Sequence, residues 1–193
     1  MNVDSPELKH LRNLVLDLNV QWQMFDELFS DAKNYAVFNR TGPNFWIHLQ
    51  IYLLDTIFLS ISRFFDPMAN RNQTNLSLAT VCAFQEVGSI RLDLERRLND
   101  MRPVWDRGIK IWRHKKLSHS DMPTVLGQEP LPDIPYSEVK NLVSGISEFV
   151  REIDHRLNQV DVNYEISVSK WVPQVLRYLE EGVRRIDQDR KDR

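Results

Sequence analysis

The stretch "IWRHKKLSHSDMP", Ile111 to Pro123, places one Arg, two His and two Lys within residues 113–119. An unperturbed imidazole titrates at a pKa of about 6.5, so His114 or His119 can take up or release a proton near neutral pH. The planar guanidinium of Arg113 can hold a phosphate through two parallel hydrogen bonds, and Lys115 and Lys116 can hold others as point charges. Cations also suit the negative end of a helix dipole. The residue types alone therefore leave three readings open: an acid–base site, a phosphate clamp, or a solvated helix end.

The charge around this stretch is local. From Arg91 to Lys116 there are nine basic residues, including Arg107 and Lys110, against four acidic ones, whereas the whole chain carries -2. The chain as a whole has no field to draw it onto a polyanion, so a phosphate-bearing partner would have to meet this segment. On a wheel of roughly 100° per residue, Met101, Trp105, Gly108, Ile109 and Trp112 form the packing side, and Arg113 sits at its edge. Arg107, Lys110 and His114 fall opposite and are expected in solvent. Lys116 and His119 return to the packing side, so an apolar stripe becomes a basic one towards the helix end.

The elements that must position these residues all read as helices. Ser5-Pro6 is a start signal, with Ser as N-cap and Pro in the first turn. Apolar residues then recur at spacings of three and four from Leu8 to Ala36, which predicts one long amphipathic helix ended by "TGP" at 41–43. An apolar segment follows to Asp66-Pro67, then a polar loop, "MANRNQTN". Ser77 caps the next helix, which is expected to bend near Gly88 and continue as "IRLDLERRLND". Pro103 is expected to open the helix carrying the basic stretch, and Pro123 to close it. Residues 121–136 hold four prolines and read as a loop. Ser137 is expected to cap a helix with Val139, Leu142, Ile146, Phe149 and Ile153 on one face. A last helix starts near Ser169, with 183–193 as a frayed tail. The expected fold is an all-α, up-and-down bundle forming a single domain over 1–193, with its core in 5–182.

The apolar segment Phe45–Phe65 is long enough to cross a membrane, but His48, Gln50, Asp55 and Arg63 argue against that, because charge at bilayer depth is costly. It is read as the buried central helix. His48, Tyr52, Asp55, Ser62 and Asp66 line up on one stripe of it. That stripe is either a buried hydrogen-bond network or a functional surface. Arg63 can pair with Asp66 at i,i+3. Asp55 is expected to find a partner in His48, Tyr52 or a neighbouring helix, and its loss to reduce stability more than activity. The single cysteine, Cys82, reads as a small core residue and suggests a reducing compartment. The N-terminus, "MNVDSPELKH", lacks the basic and apolar regions of a secretion signal, so a cytoplasmic protein is expected.

An Arg followed by four to six residues and a His near a helix end resembles the signature of the HEPN superfamily. Two pairs fit the spacing, Arg107/His114 and Arg113/His119, and only the second combines the helix end with the inward side. The closer likeness is to the abortive-infection AbiU-type HEPN domain. There, a long apolar helix ends in a pattern like "ISRFFD", Ile61 to Asp66, and is followed by a stretch like Arg113, Lys115, His119 and Asp121 here. The resemblance runs over residues 5–182. It differs at His114, where many relatives carry an amide or an acid.

The resemblance implies a homodimeric endoribonuclease of a toxin–antitoxin or abortive-infection system that requires no metal or other cofactor. The substrate's own 2′-hydroxyl would attack the adjacent phosphate. His119 would be the proton-transfer group and Arg113 the phosphate clamp. Lys115, Lys116, Arg107 and Lys110 would hold neighbouring RNA phosphates. Arg63, Asp66, Asp121 and His114 would support the site. Six helical residues span about 9 Å, so Arg113 and His119 are expected to need the helix end, or a second subunit, to meet at one phosphate. RNA and a cognate antitoxin are the implied partners, with no membrane. Two other readings stay open: a non-catalytic HEPN domain binding nucleotide, RNA or protein, and a helical dimer scaffold with a basic edge.

Overall fold

The computed structural model describes residues 5–70, 73–164 and 170–192. Helix α1, Pro6–Phe29, starts as its sequence dictates: the Ser5 hydroxyl accepts the Leu8 N–H at 3.2 Å. It does not continue to residue 36. Asn34 donates its amide to the carbonyls of Glu27 and Leu28 at 2.8 and 2.9 Å, and Asp31 accepts the Lys33 N–H at 2.9 Å. These polar side chains offer the backbone an alternative to the helical ladder, and the chain turns. Helix α2, Asn34–Thr41, follows. Gly42, at φ +141°, makes the corner that an L side chain resists, and Pro43 opens α3, Pro43–Phe64.

Helix α3 is not the fully buried centre that its composition suggests. Trp46, Ile57, Phe58, Ile61 and Phe64 face the core, but Phe45, Ile47, Ile51, Tyr52 and Leu59 are exposed, Phe45 at 63% and Tyr52 at 64%. The polar stripe is divided accordingly. Ser62 is buried and donates to the Phe58 carbonyl, whereas the rings of His48 and Tyr52 stack on each other in the open, 6.1 Å apart. By length and composition α3 could cross a membrane, with a mean hydropathy of 1.3, but its inner face is part of this core.

The polar loop after α3 contains a two-residue antiparallel pairing, Ala69 with Thr74 and Asn70 with Gln73. Ser77 caps α4, Leu78–Ala83, accepting the Thr80 N–H at 3.4 Å. The expected bend near Gly88 is a full break between Phe84 and Ile90. Helix α5, Arg91–Val104, takes Pro103 inside its last turn, so Pro103 does not open a new helix. The same rod continues through a π-type turn at Trp105–Ile109, a turn of α-helix (α6, Lys110–Trp112) and a second π-type turn at Arg113–Leu117. It stops at Leu117, before His119.

Asp121, not Pro123, marks the next boundary. Its carboxylate accepts the Thr124 N–H at 3.3 Å and hydroxyl at 2.7 Å, capping the short α7, Met122–Val125. Residues 130–135 form a strap without regular secondary structure. Helix α8, Tyr136–Asn158, has Pro135 at its N-cap, two residues before Ser137, and α9, Trp171–Lys191, keeps helical form through most of the expected tail. The expected start at Ser169 lies outside the described residues.

The result is an all-α bundle. Helix α1 packs on α3 and α8, α5 packs on α8, and α9 lies on α2. Leu8, Leu11, Val15 and Leu18 of α1 meet Ile57 and Ile61 of α3 and Ile146, Phe149 and Ile153 of α8 in one core, all fully buried. Cys82 is buried, as its apolar surroundings imply, and burial pushes its thiol up to about 11.

Candidate functional site

The two π-type turns decide what the basic segment presents. An i→i+5 turn accommodates one extra residue, so two of them slow the winding of the rod between 102 and 118. Residues four apart then stay in register. Met101, Trp105 and Ile109 form one such row, all buried. Arg102, Asp106, Lys110, His114 and Ser118 form another, and all five line one cleft. In a uniform α-helix the ends of that second row would lie about 160° apart. His114 is exposed, as expected, but it belongs to the cleft and not to the opposite face.

The cleft has a volume of about 760 Å³, and its other wall is the end of α3 and the loop beyond it. Phe65 stacks on Trp105 at 5.1 Å and 14°, fixing the distance between the two walls. Arg113 reaches across and donates from Nη1 to the Asp66 carboxylate. Asp66 therefore pairs with Arg113 and not with Arg63, which is exposed and lines no part of the cleft. Asp66 orients the guanidinium by holding one of its nitrogens. His119 lies just past the helix end on the same cleft. Arg113, His114 and His119 thus meet around one space within a single chain.

The remaining basic residues divide into those at the cleft and those held elsewhere. Lys110 lines the cleft and donates to Asp106 at 2.9 Å. Arg102 lines it too, unforeseen in the sequence although the spacing of four through 106, 110 and 114 marked it. Lys115 is tied to Glu129, whose hydrogen bond raises the pKa of the ammonium. Lys116 pairs with Asp55 at 2.9 and 3.2 Å and sits 4.9 Å over the Trp112 ring. This neighbouring-helix partner satisfies Asp55, and His48 and Tyr52 do not. Arg107 is bound to Glu138 at the start of α8. Asp121 is drawn below the usual carboxylate range by the Thr124 hydroxyl and N–H and by Lys115, in that order, and its visible task is to cap α7.

The strap holds the rod from behind. The Trp112 indole N–H donates to the Pro132 carbonyl at 2.8 Å, and Ile134 packs directly onto Gly108. The ring of Phe58 meets Trp112 edge-on at 5.5 Å. Trp112 is thereby fixed between α3 and the strap, and Arg113, the next residue, inherits its position.

Compared with known proteins, residues 6–172 match the family model of AbiU2, an HEPN-type domain. No curated protein and no solved structure matches the chain.

Proposed function

The chain belongs to the AbiU2 family of HEPN-type domains associated with abortive infection, and from that membership we propose that its cleft cleaves RNA. The observation that carries the reading is the meeting of Arg113 and His119 on one open cleft, with Asp66 orienting the arginine. Arg113 holds the scissile phosphate and offsets the charge that builds on it in the transition state. His119 transfers a proton as the substrate's 2′-hydroxyl attacks; histidine is the side-chain type most often used for such transfers. Arg102 and Lys110 hold flanking phosphates without reading bases. The side chains supply the whole reaction in this reading, and no metal or other cofactor takes part. The substrate is intracellular RNA, and a cognate antitoxin would silence the protein by covering the cleft.

We propose also that the protein works as a homodimer, joined through the exposed apolar face of α3. Phe45, Ile47, Ile51, Tyr52 and Leu59 leave more apolar surface on one helix than scattered surface residues do.

The test is cleavage of single-stranded RNA by purified protein in EDTA. Arg113→Ala and His119→Ala should each lower the rate by a factor of about 10²–10⁴, the usual worth of such groups, with helicity by circular dichroism unchanged. Neither side chain is buried, so neither truncation opens a core cavity. A wild-type protein that leaves RNA intact would overturn the reading. Salt-sensitive RNA binding without cleavage would instead favour a binding domain.

A further inference from the structure

We propose that a second cavity, behind the strap, binds a small aromatic molecule carrying a protonated amine. This cavity lies between α1, α3, the rod and the strap, with a volume of about 320 Å³. It shares no lining residue with the cleft, so the proposal stands whatever the cleft does. Its floor belongs to the core: Trp22, Phe25, Phe58 and Val139 line it and are all buried. Trp112 and Tyr136 bring the number of aromatic rings on its wall to five. Trp22 and Tyr136 stand 5.1 Å apart at 36°, and Phe58 and Trp112 stand 5.5 Å apart at 76°. Rings set at such angles wall a space from several sides and do not stack it shut. An apolar cavity of about 150 Å³ takes one benzene ring, so this one has room for two fused rings and a short side chain.

The polar groups of the rings are spent on the fold. The Trp112 indole N–H is held by the Pro132 carbonyl at 2.8 Å, and the Tyr136 hydroxyl donates to the Asp26 carboxylate. The interior therefore offers ring and aliphatic surface, which suits an apolar body. The mouth is different. Asp133 is exposed there, and among the described residues it is the one charged side chain on the wall. No hydrogen bond or ion pair engages its carboxylate among those residues. Asp26, at the Tyr136 hydroxyl, adds a second negative charge on that side. Lys116 sits over the Trp112 ring but lines no part of the cavity, and Asp55 balances its charge. Aromatic faces and a free carboxylate both attract a cation, so an ammonium group at the mouth meets Asp133 while its ring system fills the interior. An aromatic anion of the same size would meet only repulsion.

The experiment is calorimetric titration of the full chain with three probes built on one ring system: tryptamine, indole and indole-3-acetate. Tryptamine should bind at one site per chain with a Kd between about 10 μM and 1 mM, as a ligand of its size allows. It should bind about 5–10-fold more tightly than indole, through the ring faces and the carboxylate together, and indole-3-acetate should bind more weakly than indole. Asp133→Asn should weaken tryptamine about two- to fivefold and leave indole unchanged. Asp133→Lys should reverse the preference between tryptamine and indole-3-acetate. Asp133 is exposed, so both variants should melt with the parent, and their folding can be checked in the same samples. No saturable binding of tryptamine in the millimolar range would overturn the proposal. So would a parent that binds indole or indole-3-acetate as tightly as tryptamine, or tryptamine binding that neither Asp133 substitution changes.

Discussion

At the scale of single residues, the site and the stability of the bundle are held by different carboxylates. Asp154, fully buried in α8, receives Arg12 from α1 through Nε at 3.1 Å and through Nη2, together with the Tyr164 hydroxyl. Asp154→Ala would take away the fully buried carboxylate to which both the Arg12 guanidinium and the Tyr164 hydroxyl donate and should cost about 3–5 kcal/mol, towards the lower figure because Arg12 is 18% exposed; urea unfolding measures it. Burial first, and then the hydrogen bond to Asp154, push the Tyr164 phenol well above its ordinary pKa. The folded state therefore keeps a proton that the unfolded state releases above pH of about 10. Stability should be intact below that pH and decline as pH rises beyond it, and Tyr164→Phe should flatten part of the decline in Tm above pH of about 10. Asp55→Ala, by contrast, breaks only the half-exposed pair with Lys116 and should cost no more than about 1 kcal/mol. That Arg113 and His119 lie at the end of the rod was legible in the sequence, because helix ends show there in caps and breakers. The partner of Asp66 and the place of Asp154 were not, because both depend on which helices lie side by side.

At the scale of elements, the helices could be read from apolar spacing and caps, and the misreadings share a cause. The break after Phe29 and the winding from Trp105 to Leu117 depart from 3.6 residues per turn, and a uniform wheel cannot represent them. His114 was assigned to the wrong side for that reason alone. The strap gives the rod a second control. A Cβ on Gly108 would lie 2.9 Å from both Cγ1 and Cδ1 of Ile134, so Gly108→Ala must push the strap away. It should cost about 1–3 kcal/mol of overpacking, offset in part by about 1 kcal/mol of gained helix propensity. At Gly145 the nearest atoms are Sδ and Cγ of Met101, at 3.0 and 3.3 Å, in a side chain that can move aside. Gly145→Ala should therefore leave Tm close to the parent's. Thermal melts of the two variants, run in parallel, separate a fixed neighbour from a yielding one.

At the scale of the whole molecule, apolar spacing was enough to indicate an all-α bundle but not which apolar residues would remain outside. Helix α3 is apolar on two faces, and only one packs within the chain. Light scattering at micromolar concentration should give twice the 22.9 kDa of one chain, and Tyr52→Asp combined with Leu59→Glu should give the monomer with helicity preserved. A monomeric parent that still cleaves RNA would rule out assembly as a condition of activity. The cleft itself is built within one chain, so a monomeric variant should retain its chemistry if it still binds RNA.

The tie between Arg12 and Asp154 joins residues 142 positions apart. During synthesis, a chain that has emerged as far as His119 still lacks α8, on which both α1 and α5 pack. At about 5–20 residues per second, the ribosome needs several more seconds to deliver it. An unfinished chain therefore carries every residue of the cleft before it has α8, the helix that braces α1 and α5. A protein that attacks RNA from such a cleft would be harmless to the message it is being translated from until α8 had emerged.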